Sequence, residues 1–155
     1  MEVSDVEILL VEDNPNDELL AMHAFKRQDT AHTVYVVRDG AEALDYIFCI
    51  GAHAERSFEN PKVILLDLKL PKVDGLQVLR QIRNDPRTRF IPVVVLTASN
   101  QECDIFEAYE AGANSYIVKP VDFGQFNEVA RHLVDYWLRL NRGPAWETVP
   151  YLAGR

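Results

Sequence analysis

The chain has 155 residues, 48% of them hydrophobic and 26% charged, with a formal net charge of −8; this is ordinary globular composition and enough for one domain with a single core. So acidic a surface excludes nucleic acid and anionic membranes as main partners, because both select Lys and Arg. Met1-Glu2-Val3-Ser4-Asp5 is no basic stretch leading into an apolar one, and every apolar run is strand-sized, so neither a secretion signal nor a membrane span is expected and the cytoplasm is the expected compartment.

Five strand-length apolar runs alternate with helical patterns. The first run is Val6-Glu7-Ile8-Leu9-Leu10-Val11. Pro15-Asn16-Asp17 then opens a helix, proline being tolerated in the first turn, with Leu19, Met22 and Phe25 recurring on one face. Thr33-Val34-Tyr35-Val36-Val37 is the second strand, and Gly40 to Ile50 a helix striped by Ala43, Leu44, Ile47 and Phe48. A polar loop from Gly51 to Pro61 comes next, longer than most such connections. Val63-Ile64-Leu65-Leu66 precedes a third helix, Gly75 to Asn84, with Leu76, Leu79 and Ile82 on its face and a stop at Asp85, the residue before Pro86. Pro92-Val93-Val94-Val95-Leu96 leads to a fourth helix, Gln101 to Ala111, closed by Gly112. Ser115-Tyr116-Ile117-Val118 is the fifth strand; Phe126, Val129, Leu133, Trp137 and Leu140 stripe the last helix.

Alternating strand and helix, with nearly continuous Val/Ile/Leu strands, predicts an α/β fold whose parallel sheet is covered on both faces. Residues 1–140 are read as this domain and 141–155 as a C-terminal extension. Gly143, Pro144, Pro150 and Gly154 forbid one continuous helix there, yet Trp146, Val149, Tyr151 and Leu152 make it apolar enough to pack on its own domain or on a partner. Cys49 and Cys103 match no metal or redox spacing and are read as buried free thiols. His23, His32, His53 and His132 are scattered and read as surface or helix-face residues.

The chemistry gathers at the strand ends, where ligands of doubly wound sheets bind. The first strand ends in Glu12-Asp13, the third in Asp67, the fourth in Thr97-Ala98 and the fifth in Lys119-Pro120. Alone, each is better explained as a cap, a turn residue or a solvated charge; together at one sheet edge they are not. Three neighbouring carboxylates repel one another unless a cation lies among them. Mg²⁺, which takes oxygen ligands and keeps several waters, suits them. Beyond the metal, Lys119 as a point charge and Thr97 as a hydroxyl donor suit a phosphoryl group.

This set resembles the receiver domain of two-component response regulators over about residues 6–140. The matching residues are Glu12-Asp13, Asp67 within Leu65-Leu66-Asp67-Leu68, the subsequent Pro71-Lys72-Val73-Asp74-Gly75, Thr97-Ala98 and Lys119-Pro120. The resemblance implies a flavodoxin-like, doubly wound five-stranded parallel sheet of order 2-1-3-4-5 with five helices. It implies that Asp67 is the nucleophile that takes a phosphoryl group from a sensor histidine kinase, making the chain a phosphorelay switch and not an enzyme. Asp13, Asp67 and the backbone carbonyl of Lys69 would then ligate Mg²⁺, with Glu12 holding a metal-bound water. Lys119 and Thr97 would bind the phosphoryl oxygens, Tyr116 would be the switch aromatic, and the Lys119-Pro120 bond would be cis. Glu12 stands where the family more often has Asp.

The 51–61 loop and the aromatic tail resemble the single-domain regulators paired with phytochrome kinases. That points to a bacteriophytochrome as the kinase and to a homodimer through helix four, strand five and helix five. The stretch beyond residue 140 is too short for a DNA-binding or catalytic module, so output by protein contact is expected. The alternative is a metal-dependent aspartyl phosphohydrolase, but such enzymes carry an acid two residues after the nucleophile, where this chain has Lys69. A pseudo-receiver that binds partners without phosphate chemistry is opposed by the intact Asp13, Asp67, Thr97 and Lys119.

Overall fold

The computed structural model describes residues 6–28, 32–57 and 59–144; Trp146, Val149, Tyr151 and Leu152 of the extension lie outside the described residues. The strands are β1 (Ile8–Val11), β2 (Val34–Val37), β3 (Val63–Leu66), β4 (Val93–Thr97) and β5 (Ser115–Val118), all parallel, in the order β2-β1-β3-β4-β5. The helices are α1 (Pro15–Lys26), α2 (Gly40–Phe48), α3 (Gly75–Asn84), α4 (Glu102–Ala111) and α5 (Phe123–Leu133). The expected five-stranded α/β architecture is the one found.

Side chains alternate across the sheet, so each central strand feeds two cores. Ile8, Leu10, Val63, Leu65, Val94 and Leu96 pack under α1 and α5 with Phe25, Phe126 and Leu133. Leu9, Val11, Ile64, Leu66 and Val93 pack under α2 and α3 with Ile47, Val78, Leu79 and Ile82. This is why β1, β3 and β4 read as unbroken apolar runs, whereas β2 and β5, at the edges, leave Tyr35 and Val118 exposed. The thin third cluster of Leu68, Val95 and Ala108 carries α4.

Local signals set the helix ends. Asn14, Asp39, Asp74 and Asp122 cap α1, α2, α3 and α5 through side-chain oxygens. Asp85 is extended before Pro86, as expected. Gly112 takes φ 108°, a left-handed C-cap that few other residues adopt.

Several expectations need correction. In α1 the inward face is Ala21, Ala24 and Phe25, while Leu19 is 72% exposed; small side chains let α1 lie close on α5, which turns Leu19 outward. The second helix stops at Phe48 because Cys49 is left-handed at φ 56°. Neither thiol is buried: Cys49 is half-buried and Cys103 exposed, since α4 buries only Ala108. The last helix is not one regular stripe. After Leu133 the chain widens into a π-helix, Val134–Leu140, with the Asn141 N–H bonded to the Tyr136 carbonyl at 2.6 Å. The wider turn shifts the phase, leaving Trp137 partly packed and Leu140 exposed.

The loop after α2 opens with a 3₁₀ turn, Gly51–His53. Arg56 donates from this loop to the carbonyls of Tyr46, Ile47, Ser57 and Glu59 at 2.6–3.2 Å. Its guanidinium lies 4.1 Å over the Tyr46 ring, and Tyr46 stacks on Tyr35 of β2. His53, half-buried, meets both tyrosines edge-on, so it is part of a packed aromatic group.

Arg83, from α3, is the other structural arginine. It donates to the carbonyls of Gly112, Arg89 and Ile91 and to Asn114 Oδ1, all within 2.7–3.0 Å. Removing it leaves those acceptors without a charged donor, and Lys cannot reproduce the planar fork. Arg83→Met is expected to cost about 3 kcal/mol in urea unfolding; a loss under about 1 kcal/mol would show that water satisfies those carbonyls as well.

Candidate functional site

Four of the five strands deliver their last residues to one edge. Glu12 and Asp13 follow β1, Asp67 follows β3, Thr97 ends β4 and Lys119 follows β5. The structure brings the three acids together: one carboxylate oxygen from each of Glu12, Asp13 and Asp67 lies within 4.8 Å of the others, with Glu12 and Asp67 buried and Asp13 exposed.

Lys119 and Thr97 converge on the same carboxylate. Lys119 Nζ is 2.8 Å from Asp67 Oδ2, and Thr97 Oγ1 donates to Asp67 Oδ1 at 2.8 Å. Lys119 also pairs with Glu12 at 2.6 Å and with Asp17 at 2.9 Å. Glu12 Oε2 accepts the Asn14 N–H. Burial pushes the Glu12 carboxyl up to about 7, against the pull of Lys119 and the Asn14 N–H. Burial alone would lower Lys119, but its bonds to Asp17, Asp67 and Glu12 outweigh that and hold it above the ordinary lysine range. The ammonium is therefore charged at any working pH.

The Lys119-Pro120 bond is not cis, since no described peptide bond is. The Lys119 N–H bonds to the Thr97 carbonyl at 2.8 Å and so fixes where the side chain leaves β5; from there the stem reaches Asp67 with a trans bond. The Tyr116 hydroxyl donates to the Ser99 carbonyl at 2.9 Å, Ser99 bonds Asp104, and the Tyr116 ring lies on the α4 cluster. An open cleft of about 480 Å³ borders the acids, lined by Asp13, Lys69, Asp74, Ser99 and Asp104 among others.

Asp17 was missed by sequence reasoning, which left it as a first-turn helix acid. The available signal was topological: α1 starts directly after Glu12-Asp13, so its first turn stands over the same edge.

The donor set fits a hard divalent cation. Three carboxylates lie within reach of one ion, Asp13 is open to solvent, and a cation would offset the cost of burying the Glu12 charge and the repulsion among the acids. The model for the response regulator receiver domain matches residues 8–131. The chain belongs to this family. It is the receiver of a two-component response regulator, a class that interacts with sensor histidine kinases, and it is built around an acidic cluster for a divalent metal. The receiver is 44% identical over 137 residues to the probable methanogenesis regulatory protein FilR2 of Methanothrix harundinacea, covering 88% of this chain and 86% of that protein. Among solved structures it resembles the phosphorylated cyanobacterial phytochrome response regulator RcpA, at 40% identity and TM-score 0.84, covering 92% of this chain and all of that one. It also resembles the Mn²⁺-bound form of response regulator Rcp1 of Synechocystis, at 36% identity and TM-score 0.80, covering 89% and 98%. Among the described residues, no helix of the receiver is long and apolar enough to cross a membrane.

Proposed function

We propose that Asp67 is the phosphoryl acceptor of this receiver. The observation that carries the reading is the pair of 2.8 Å contacts by which Thr97 and Lys119 hold the two oxygens of one buried carboxylate. An Asp67 oxygen attacks the phosphorus of a kinase phosphohistidine, the N–P bond breaks, and the imidazole leaves with the bonding pair and takes up a proton. Lys119 steadies the charge on the incoming oxygens, and Thr97 turns its hydroxyl hydrogen bond from Asp67 to one of them. Asp13, Asp67 and the Lys69 carbonyl are the residues to hold Mg²⁺, with Glu12 on a bound water; when bound, the ion neutralises charge on the phosphoryl oxygens. Lys69 offers no carboxyl to act as an acid on a leaving group, so hydrolase chemistry is not favoured.

Incubation with Mg²⁺ and acetyl phosphate should add one phosphoryl group, labile to hydroxylamine and mapping to Asp67. An adduct on another residue, or none, overturns the assignment. Mg²⁺ alone should stabilise the protein: at a concentration 100 times its Kd the unfolding free energy rises by about 2.7 kcal/mol, and EDTA reverses the gain. An unfolding curve indifferent to both would remove the metal from the reading.

The switch arises from charge. The acyl phosphate carries roughly two negative charges where the carboxylate carried one, and it presents three acceptors beside Thr97, which biases the β4–α4 loop and, through Ser99, the Tyr116 ring. In Thr97→Ala the adduct should form while the tyrosine ring signals stay unmoved. Phe106, Tyr109, Val118, Val121, Tyr136 and Leu140 are exposed on α4, β5, and the α5 end of the fold, and they supply the proposed homodimer face; light scattering of Phe106→Glu should then report a monomer. Residues 1–140 form the receiver, 141–155 its extension, and the site is proposed to work in the cytoplasm with a bacteriophytochrome kinase. Phosphotransfer profiling over a kinase panel tests that partner, and uptake only from kinases of other kinds would reject it.

A further inference from the structure

Lys119 Nζ carries three N–H donors, and each meets a different carboxylate: Glu12 at 2.6 Å, Asp67 at 2.8 Å and Asp17 at 2.9 Å. Glu12 and Asp67 also belong to the group of acids that can hold a metal; Asp17 does not. Asp17 stands in the first turn of α1, with its own N–H tied to Asn14 Oδ1 and its side chain 35% exposed. The helix dipole ordinarily explains an acid at such a place. It does not explain a 2.9 Å contact with a lysine side chain that is only 8% exposed and 102 positions away.

We infer that Asp17 is a positioning residue: it draws the Lys119 ammonium partly off Glu12 and Asp67 and so leaves those carboxylates available to a divalent cation. The inference rests on the reading of this cluster as a Mg²⁺ and phosphoryl site. Without the Asp17 charge, the attraction of the ammonium falls wholly on the two acids it shares with the cation, and lysine and cation compete for the same oxygens. One negative charge also leaves the edge. Both changes weaken cation binding, so the sign does not depend on which is larger. Asp17 keeps one further role through the reaction. When a phosphoryl group occupies Asp67 and the metal engages its ligands, Asp17 is the carboxylate still free to hold the ammonium in place.

The test is Mg²⁺ titration calorimetry on the metal-free 155-residue chain. Asp17→Asn should weaken Mg²⁺ binding roughly tenfold, the usual scale for groups that act on a metal through its neighbours, and Asp17→Glu should recover most of it. The readout specific to positioning is the same step in a Lys119→Met background, where Asp17→Asn should cost clearly less affinity than it does with Lys119 present, because only the direct attraction of Asp17 for the cation is lost and no ammonium is released onto Glu12 and Asp67. Wild-type affinity in Asp17→Asn overturns the inference, as does an undiminished loss in the Lys119→Met background, which would make Asp17 a plain charge. A wild-type protein that binds no Mg²⁺ would overturn the metal reading beneath it, so the two failures are told apart.

Discussion

Asp67→Asn should receive no phosphoryl group from acetyl phosphate or from any kinase, while remaining folded. The amide has nearly the shape of the carboxylate but no anionic oxygen to attack phosphorus, and phosphoryl transfer to that position stops outright. The fold tolerates the change because Lys119 keeps Glu12 and Asp17 as anionic partners; the cluster also loses one of its mutually repelling charges. Removing one partner of a buried pair normally costs more than the pair was worth, but here the ammonium is left with two others, so the shift in unfolding free energy should stay within about 2 kcal/mol. Intact-mass spectrometry after incubation with the phosphodonor, beside a urea titration, measures both. A persistent adduct in Asp67→Asn would move the acceptor elsewhere; an unfolded variant would show that Lys119 depends on Asp67 alone.

The second large effect lies in the backbone under the site. Gly75 begins α3 and donates its N–H to the Leu68 carbonyl at 2.8 Å. A Cβ on Gly75 would sit 2.3 Å from the Asp67 carbonyl oxygen and 2.7 Å from Leu68 Cα. Both are main-chain atoms, so no side chain can swing aside to make room. Gly75→Ala must push α3 away from β3 or displace the segment from Asp67 onward, and overpacking of this kind costs roughly 3 kcal/mol. The displaced segment carries Asp67 and Lys69, so Mg²⁺ affinity should fall with stability. Calorimetric titration and chemical denaturation of the same sample decide it: stability lost with affinity unchanged would place the whole adjustment in α3.

How much of the fold was legible in the residues depends on where burial is two-sided. β1, β3 and, as far as Leu96, β4 are apolar at every position because they feed both cores, and such runs stand out. Glu12-Asp13, Asp67, Thr97 and Lys119 stood out because strand ends are where a parallel sheet presents ligands, and the structure brings all five to one edge. The strand order came from family resemblance, since spacing alone does not choose between β2-β1-β3 and other windings. Helix phase was the weakest inference. In α1 the periodic pattern favoured Leu19, but close contact with α5 selects Ala21 and Ala24, and hydrophobicity scales undervalue alanine at such a contact. The widening after Leu133 has no marker in Val134–Leu140, and Asp17 carries none either: one acid in a helix's first turn looks the same whether it meets solvent or a lysine from the far end of the chain.

Arg56 gives the segment beyond α2 an unexpected character. By composition that stretch is an exposed polar insertion, the kind of place where proteases cut. Yet the arginine that trypsin would recognise is the residue whose guanidinium clasps four carbonyls on both sides of it, and it never loses its charge. Cleavage there must wait for a local opening that also frays the end of α2, so nicking at this bond becomes a clock for that opening rather than a measure of surface exposure.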